Sequence, residues 1–175
     1  GVVRPGQTVD QGGQAGGMLM SIARVIVEPL LIFGRHVLPG QYLLQSGTVG
    51  GGSLGWFNEA LGRAEVAEAA RQGVSPYEWM SEEAARTPPG SHGLLFLPYM
   101  AGERTPLWDS NARGVFFGLS YKTTRGDMLR AIMEGCAFAV YHGLRLAEAH
   151  GASVSEWLGD GGAARSAVWC QIKAD

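Results

Sequence analysis

The sequence predicts an α/β fold, and three observations carry that prediction. Short apolar or β-branched runs alternate with longer stretches of helical spacing. Three clusters of glycine sit at the joints between them. A long helix, from near Arg125 to about His150, follows the central pair of apolar runs and ends at Gly151.

Taken in order, Gln7 to Gln11 is a strand candidate and Met18 to Val27 an apolar stretch rich in β-branched residues. Gly12, Gly13, Gly16 and Gly17 between them read as a hairpin turn. Tyr42-Leu43-Leu44 is a strand, followed by Gly47, Gly50, Gly51, Gly52 and Gly55, and Leu54 to Leu61 has the spacing of a helix. Glu65 to Gln72 is a helix closed by Gly73. Ser75 caps the next one, with Pro76 at its first position and Glu78 in an acidic first turn. Gly93 to Pro98 is a continuous apolar run stopped by proline, which predicts a buried strand. Tyr99 to Asn111, with Glu103, Arg104 and Asp109, is an ordered loop, and Gly114 to Leu119 a second strand. Thr123 or Thr124 caps the long helix, since a threonine hydroxyl accepts from orphan amides of the first turn. Leu129, Ile132, Met133, Cys136, Val140, Leu144 and Ala147 recur along it at helical spacing. Met128, Phe138, Tyr141 and Leu146 add apolar area on other faces, so the helix is expected between layers, against a sheet. Val154 to Leu158 is a last strand, Gly159, Gly161 and Gly162 follow it, and a helix begins near Arg165 with Val168, Trp169 and Ile172 on one side.

The 175 residues suit one domain with room for a core. Hydrophobic residues make up 46% and charged ones 17%, a globular balance, and no apolar run approaches the length of a membrane span, so no membrane partner is expected. A net charge of −2 without a basic cluster argues against nucleic acid. Of the fourteen basic residues only Lys122 and Lys173 are lysines, and no G-x-x-x-x-G-K-[ST] occurs, which excludes a P-loop. Cys136 and Cys170 each fall in a helix among apolar neighbours and read as buried, reduced thiols of a cytoplasmic protein. No charged start followed by an apolar core marks a signal peptide. The chain lacks an initiator methionine and stops within a helical stretch, so it reads as part of a longer protein, truncated at both ends.

The 27 glycines are about twice the ordinary usage of roughly 7%. A glycine turn that presents several N–H groups to one concavity binds anions, and a helix N-terminus behind it adds the positive end of a dipole. The second and third clusters have the strand, glycine, helix order this requires. In the first, missing side chains let the backbone approach a phosphate. Each cluster alone is weak evidence, because most glycine turns are only turns.

Gly102-Glu103-Arg104-Thr105-Pro106, then Trp108-Asp109, Asn111-Ala112-Arg113-Gly114 and Phe116-Phe117-Gly118-Leu119, resemble the FGGY carbohydrate kinases, and the first of these is most similar to xylulokinases. Gly114, Phe116, Gly118, Leu119, Asp127, Met128, Ala131, Ile132, Met133 and Glu134 meet every position of that family's second signature. The resemblance covers nearly the whole chain. It implies an actin-like ATPase (ribonuclease H-like) lobe, a mixed sheet flanked by helices, with residues 1–175 a partial C-terminal nucleotide-binding domain and ATP and Mg2+ as cofactors. Gly13-Gln14-Ala15-Gly16 matches a family turn that contacts the ATP phosphates, with Gln14 in place of a threonine, so the hydroxyl is lost and the amides remain. Gly50, Gly51 and Gly52 match a second turn near the phosphates. Asp160 to Ser166 resembles the family's adenosine motif, bringing in Gly161, Gly162, Ala163 and Arg165, with Ala163 in place of a third glycine and with Trp169 and Gln171 in register.

Family members carry their catalytic aspartate in a Gly-Asp motif before the phosphate turn. Only Asp10 lies there, without the motif and too close to the turn, so it reads as a strand-edge residue and the base is expected upstream of Gly1. The resemblance then implies transfer of the γ-phosphoryl of MgATP to a hydroxyl of a ketopentose such as xylulose. The sugar would be held mainly by an N-terminal lobe outside this chain, which alone would be inactive. A homodimer is left open. So is a gluconate or other sugar or polyol kinase, because Trp108 to Leu119 is also similar to gluconokinases, and so is a non-catalytic nucleotide-binding module on the same fold.

The remaining polar residues have plainer readings. Glu103, Arg104, Asp109 and Arg113 read as an ion-pair and hydrogen-bond network that fixes their loop. Glu134 reads as a cap on a backbone group or a partner for arginine. His36, His92, His142 and His150 are not spaced as ligand pairs and are given no metal role. Trp56, Trp79, Trp108, Trp157 and Trp169 read as core or loop anchors, with Trp169 near the adenine.

Overall fold

The computed structural model describes residues 1–175, Val49 by its backbone alone. Twelve elements run in the order β1 (Gln7–Gln11), β2 (Ala15–Ile22), β3 (Ile32–Arg35), β4 (Tyr42–Val49), α1 (Gly51–Leu61), α2 (Arg63–Gln72), α3 (Pro76–Ala85), β5 (Leu95–Leu97), β6 (Val115–Phe117), α4 (Arg125–Ala149), β7 (Glu156–Asp160) and α5 (Ala167–Ala174). The main sheet has the order β3-β4-β2-β1-β7. It is mixed: β1 runs parallel to β7 and antiparallel to β2, and β4 is antiparallel to both β2 and β3.

Across the β1–β2 ladder the first hairpin closes at Asp10 opposite Met18, so Gly12, Gly13, Gly16 and Gly17 all lie in its connection, as expected. Ala15, Gly16 and Gly17 already belong to β2, paired with Val49, Thr48 and Gly47. That strand stops at Ile22 and does not continue to Val27, because Tyr42, the partner of Ile22, is the first residue of β4 and the ladder ends there. Ile26 still enters the core, as a loop residue. The small and polar residues Gln45 to Thr48 extend β4 well beyond Tyr42-Leu43-Leu44, since pairing with β2 carries them where their own β preference would not. Short β3 escapes the sequence reading for the same reason.

Helix α4 organises the packing. Its 25 residues span about 37 Å and pass through two cores. Leu129, Ile132, Met133 and Cys136, in its first half, pack with Leu54 and Phe57 of α1, Met80 of α3, Phe96 of β5 and Trp169 of α5. Val140 and Ala147, in its second half, pack with Met18, Met20 and Ile22 of β2 and Leu44 of β4. Burial between layers therefore holds for the first half only. Phe138 and Tyr141 face out, 61% and 52% exposed, because nothing in the fold covers that side of the second half.

The cap assignments hold. Thr124, not Thr123, is the N-cap of α4: its hydroxyl accepts from Asp127 N–H at 3.2 Å while the Asp127 carboxylate accepts from Thr124 N–H at 2.8 Å, a capping box. Ser75 caps α3, accepting from Tyr77 N–H. Glu134 does both things expected of it, accepting from Gly90 N–H, the Ser91 hydroxyl and Arg130 Nε, each at 2.8–2.9 Å.

Two expectations change. The run at Gly93 to Pro98 is not buried throughout: among the described residues β5 pairs only with β6, and its alternation puts Phe96 inside while Leu95 and Leu97 face solvent. The loop at Glu103 to Arg113 is fixed by hydrogen bonds, as expected, but with no ion pair among Glu103, Arg104, Asp109 and Arg113 in the described residues. Glu103 and Asp109 exchange two backbone hydrogen bonds of 2.9 Å, Arg113 donates to the carbonyls of Ser110 and Ala112, and the Thr105 hydroxyl accepts from Gly47 N–H at 2.5 Å. That last bond ties the loop to β4 beyond the end of its pairing with β3.

Candidate functional site

The three glycine joints, far apart in sequence, meet at one place. Parallel pairing of β1 with β7 puts the residues after both strands side by side: Gly12 N–H donates to the Asp160 carbonyl at 2.8 Å and Ala163 N–H to the Gly12 carbonyl at 2.9 Å. The β2–β4 pairing delivers the third joint, where Gly51 N–H donates to the Gly13 carbonyl at 2.9 Å and Gly52 N–H to the Gln14 carbonyl at 3.0 Å. The approach is close enough to demand glycine. A Cβ on Gly12 would stand 2.6 Å from the Ala163 Cβ, and one on Gly161, whose φ is +78°, would stand 2.9 Å from the carbonyl carbon of Gly12.

A cleft of about 950 Å³ opens beside this junction. Of the residues expected at the site, Gly13, Gln14, Gly51, Gly52, Gly162, Ala163 and Arg165 line it. Ala15, Gly16, Gly50 and Gly161 do not; Gly16 and Gly50 pack backbone to backbone, and Gly161 supports Gly12 from behind.

Amide accounting separates donors from struts. The first amides of α1 are already spent, those of Gly51 and Gly52 on the first turn and that of Ser53 on the Gly50 carbonyl. Gly161 N–H goes to its neighbour's carboxylate, Asp160 Oδ1, at 2.7 Å. The amides of Gly13, Gln14 and Gly162 have no intrachain acceptor among the described residues, and all three residues line the cleft together with the exposed Arg165. Free amides converging with a guanidinium suit an anion. An isolated N–H donor left unmet at a concave surface is a group that water or a ligand must satisfy.

The opposite wall was not foreseen. Trp56 and Glu59 of α1 and Tyr77, Glu78, Ser81 and Glu82 of α3 complete the lining. The sequence marks α3 only by its capped start at Ser75, and the one available signal of a wall was Tyr77 and Trp79 beside it. The Ser81 and Ser166 hydroxyls lie 2.9 Å apart, and Ser166 caps α5, accepting from Trp169 N–H, so this wall is fastened to the third joint. The cleft thus has an amide and arginine end and a wall of aromatic rings and carboxylates.

Asp10 is not at a strand edge. It sits inside β1, flanked by β2 and β7, is 3% exposed, and forms an ion pair with Lys173 of α5. It does not line the cleft. Trp169 is a core anchor, 4% exposed with Nε1–H donating to the Met133 carbonyl at 3.2 Å, and also floors the cleft. Trp56, Trp108 and Trp157 are exposed by 37% or more, so they do not anchor a core. Cys170 is exposed too, because α5 turns that side to solvent.

Comparison with known proteins bears on this geometry. The family model described as "FGGY family of carbohydrate kinases, C-terminal domain" matches residues 29–175. The chain is 42% identical over 127 residues to the gluconokinase of Bacillus subtilis, covering 72% of this chain and 25% of that protein. It is 33% identical over 142 residues to a xylulose kinase of Staphylococcus epidermidis, covering 81% and 27%. Among solved structures, the xylulose kinase of Rhodospirillum rubrum superposes on all of this chain and 34% of its own, with a TM-score of 0.88 and 32% identity. The chain thus spans about a quarter of the length of these curated relatives. The superposition takes in residues 1–28, which the family model leaves out, and with them the turn at Gly13.

Proposed function

The chain belongs to the FGGY family of carbohydrate kinases and has their actin-like ATPase fold, and from that premise we propose that it is the nucleotide-binding half of an ATP-dependent sugar kinase. The observation that carries the reading is the convergence of three unpaired amides and Arg165 at the junction of the three glycine joints. In it, Gly13, Gln14, Gly162 and Arg165 hold phosphate oxygens. Gly50, Gly51, Gly52, Gly161 and Ala163, with Ala15 and Gly16, brace the turn that presents those donors. Gln14 offers a side-chain amide where the family turn has a hydroxyl, and the backbone donors supply most of the grip. The nucleoside takes the wall of Trp56 and Tyr77, since the carboxylates of Glu59, Glu78 and Glu82 repel phosphate and accept from hydroxyl and amino groups.

ATP supplies the phosphoryl group, and Mg2+ offsets charge on its phosphates. No group of three or more His, Cys, Asp or Glu among the described residues is arranged to hold a metal, so in this reading the ion is carried by the nucleotide. No carboxylate of the chain is assigned the role of base, since Asp10 is committed to Lys173. The sugar is gripped mainly by a second lobe, a ketopentose such as xylulose being the first candidate and gluconate the alternative, which the 42% identity to a gluconokinase favours. A homodimer in the cytoplasm fits this reading; no helix among the described residues is long and apolar enough to cross a membrane.

The test is a titration of 15N-labelled chain with MgATP. Amide shifts should concentrate at Gly13, Gln14 and Gly162, and Gly12→Ala, which drives a methyl into Ala163, should weaken binding at least tenfold. Shifts confined to other surfaces would refute the site. Saturable binding by the chain, with no sugar-dependent ADP release from any longer protein containing it, would favour the non-catalytic module.

A further inference from the structure

We propose that the cleft between the end of α3 and the start of α4 is a second anion site, one that takes a phosphate group and is separate from the glycine cleft. It has a volume of about 590 Å³ and shares no lining residue with the first. Gly126, in the first turn of α4, lines it, and its amide has no intrachain acceptor among the described residues. A helix start alone specifies no ligand. The second observation is Thr87, which lines the same cleft and is only 6% exposed, yet its hydroxyl has no hydrogen-bond partner among the described residues. That hydroxyl lies beside the open amide: a Cβ on Gly126 would stand 3.0 Å from Thr87 Oγ1. A nearly buried donor left unmet next to a free N–H is a group that water or a ligand must satisfy.

The charges around the pair choose an anion. Of the carboxylates that line the cleft, Glu83 accepts from Arg125 at 2.5 Å, and Asp127 accepts from the Thr124 amide and pairs with His92. Arg86 and Lys122 line it too, both exposed and neither with an acidic partner among the described residues. Water would satisfy the amide and the hydroxyl, but two free cations beside them favour a phosphate dianion, which accepts from all four groups. The volume lies in the range of small-molecule sites, so it has room for a phosphate carried on a small molecule as well as for the free ion.

The test titrates 15N-labelled chain with sodium phosphate and, separately, with ethyl phosphate, at fixed pH and with ionic strength held by sodium chloride. Both should give saturable shifts at the Arg125 and Gly126 amides. Tighter binding of ethyl phosphate assigns a phosphorylated small molecule and equal binding the free ion; either outcome supports the site. Thr87→Val, which removes the hydroxyl and keeps the shape, should weaken binding about tenfold. Lys122→Gln, at an exposed position where folding is not at stake, should weaken it about threefold. Arg35→Gln, which removes an exposed charge on β3, should change nothing. Shifts confined to Gly13, Gln14 and Gly162 would put phosphate in the glycine cleft alone, overturning this proposal while leaving the proposed function intact. Shifts at Gly126 that survive undiminished in both variants, or that sodium chloride alone reproduces, overturn it equally.

Discussion

At the scale of the residue, identity matters less than what each polar atom already holds. Gly13 and Gly51 look alike in sequence, yet the amide of one is open to the cleft and that of the other is bonded to the Gly13 carbonyl. The two cysteines differ in the same way. Burial in α4 pushes the Cys136 thiol up to about 12, a hydrogen bond with Ser53 offsetting only part of the shift, whereas Cys170 is exposed on α5. The thiolate is the nucleophile, so a thiol held that high is inert at neutral pH. Iodoacetamide at pH 8 should therefore label the native chain at Cys170 only, and the denatured chain at both positions, read by peptide mass. Labelling of Cys136 at a comparable rate in the native state would contradict its placement.

At the scale of the element, α4 shows how one helix is started and then divided between two cores. Its capping box depends on an ionised Asp127. Burial alone would raise that carboxyl, but hydrogen bonds from the Thr124 amide, His92 and the Thr124 hydroxyl outweigh it and hold the group below the ordinary aspartate value. The contribution is therefore fully present above the unfolded value of about 3.9 and is lost as pH falls through the lower folded value. Thr124→Ala should cost about 1 kcal/mol in urea unfolding at pH 7. Asp127→Asn should lose less stability than the parent between pH 5 and pH 3, and an equal loss in both would show that the carboxylate is not what acid attacks. Glu103 runs the other way, its carboxyl raised by burial in the loop against β4.

At the scale of the whole molecule, one ion pair connects the sheet to the cleft from behind. Asp10 lies in β1 two residues before the glycine turn, and Lys173 reaches it from α5, its Nζ 5.0 Å from the centroid of the Trp169 ring. Their side chains are 4% and 17% exposed, so removing one partner strands a charge in the interior. Lys173→Met and Asp10→Leu should each destabilise the chain by about 3–5 kcal/mol, whereas the two together should come out near neutral. Chemical denaturation of the three variants forms a cycle, and additive losses would show that the two groups do not act as a pair.

The residues alone determined the helix start at Ser75, that of the long helix to within Thr123 or Thr124, the turns, the roles of Glu134, the family signature and the order of glycine joints. Each of these is written in neighbours a few positions apart, where capping and turn chemistry operate. The long helix was legible from its period, although the period could not say that Phe138 and Tyr141 would be left uncovered. Tertiary structure decided that three joints spread between Gly12 and Gly162 share one cleft, which amides there stay open, that α3 supplies a wall, and that Asp10 is buried against Lys173. Strand pairing and burial are set by contacts distant in sequence, and a residue's own type does not record which partner has already satisfied it.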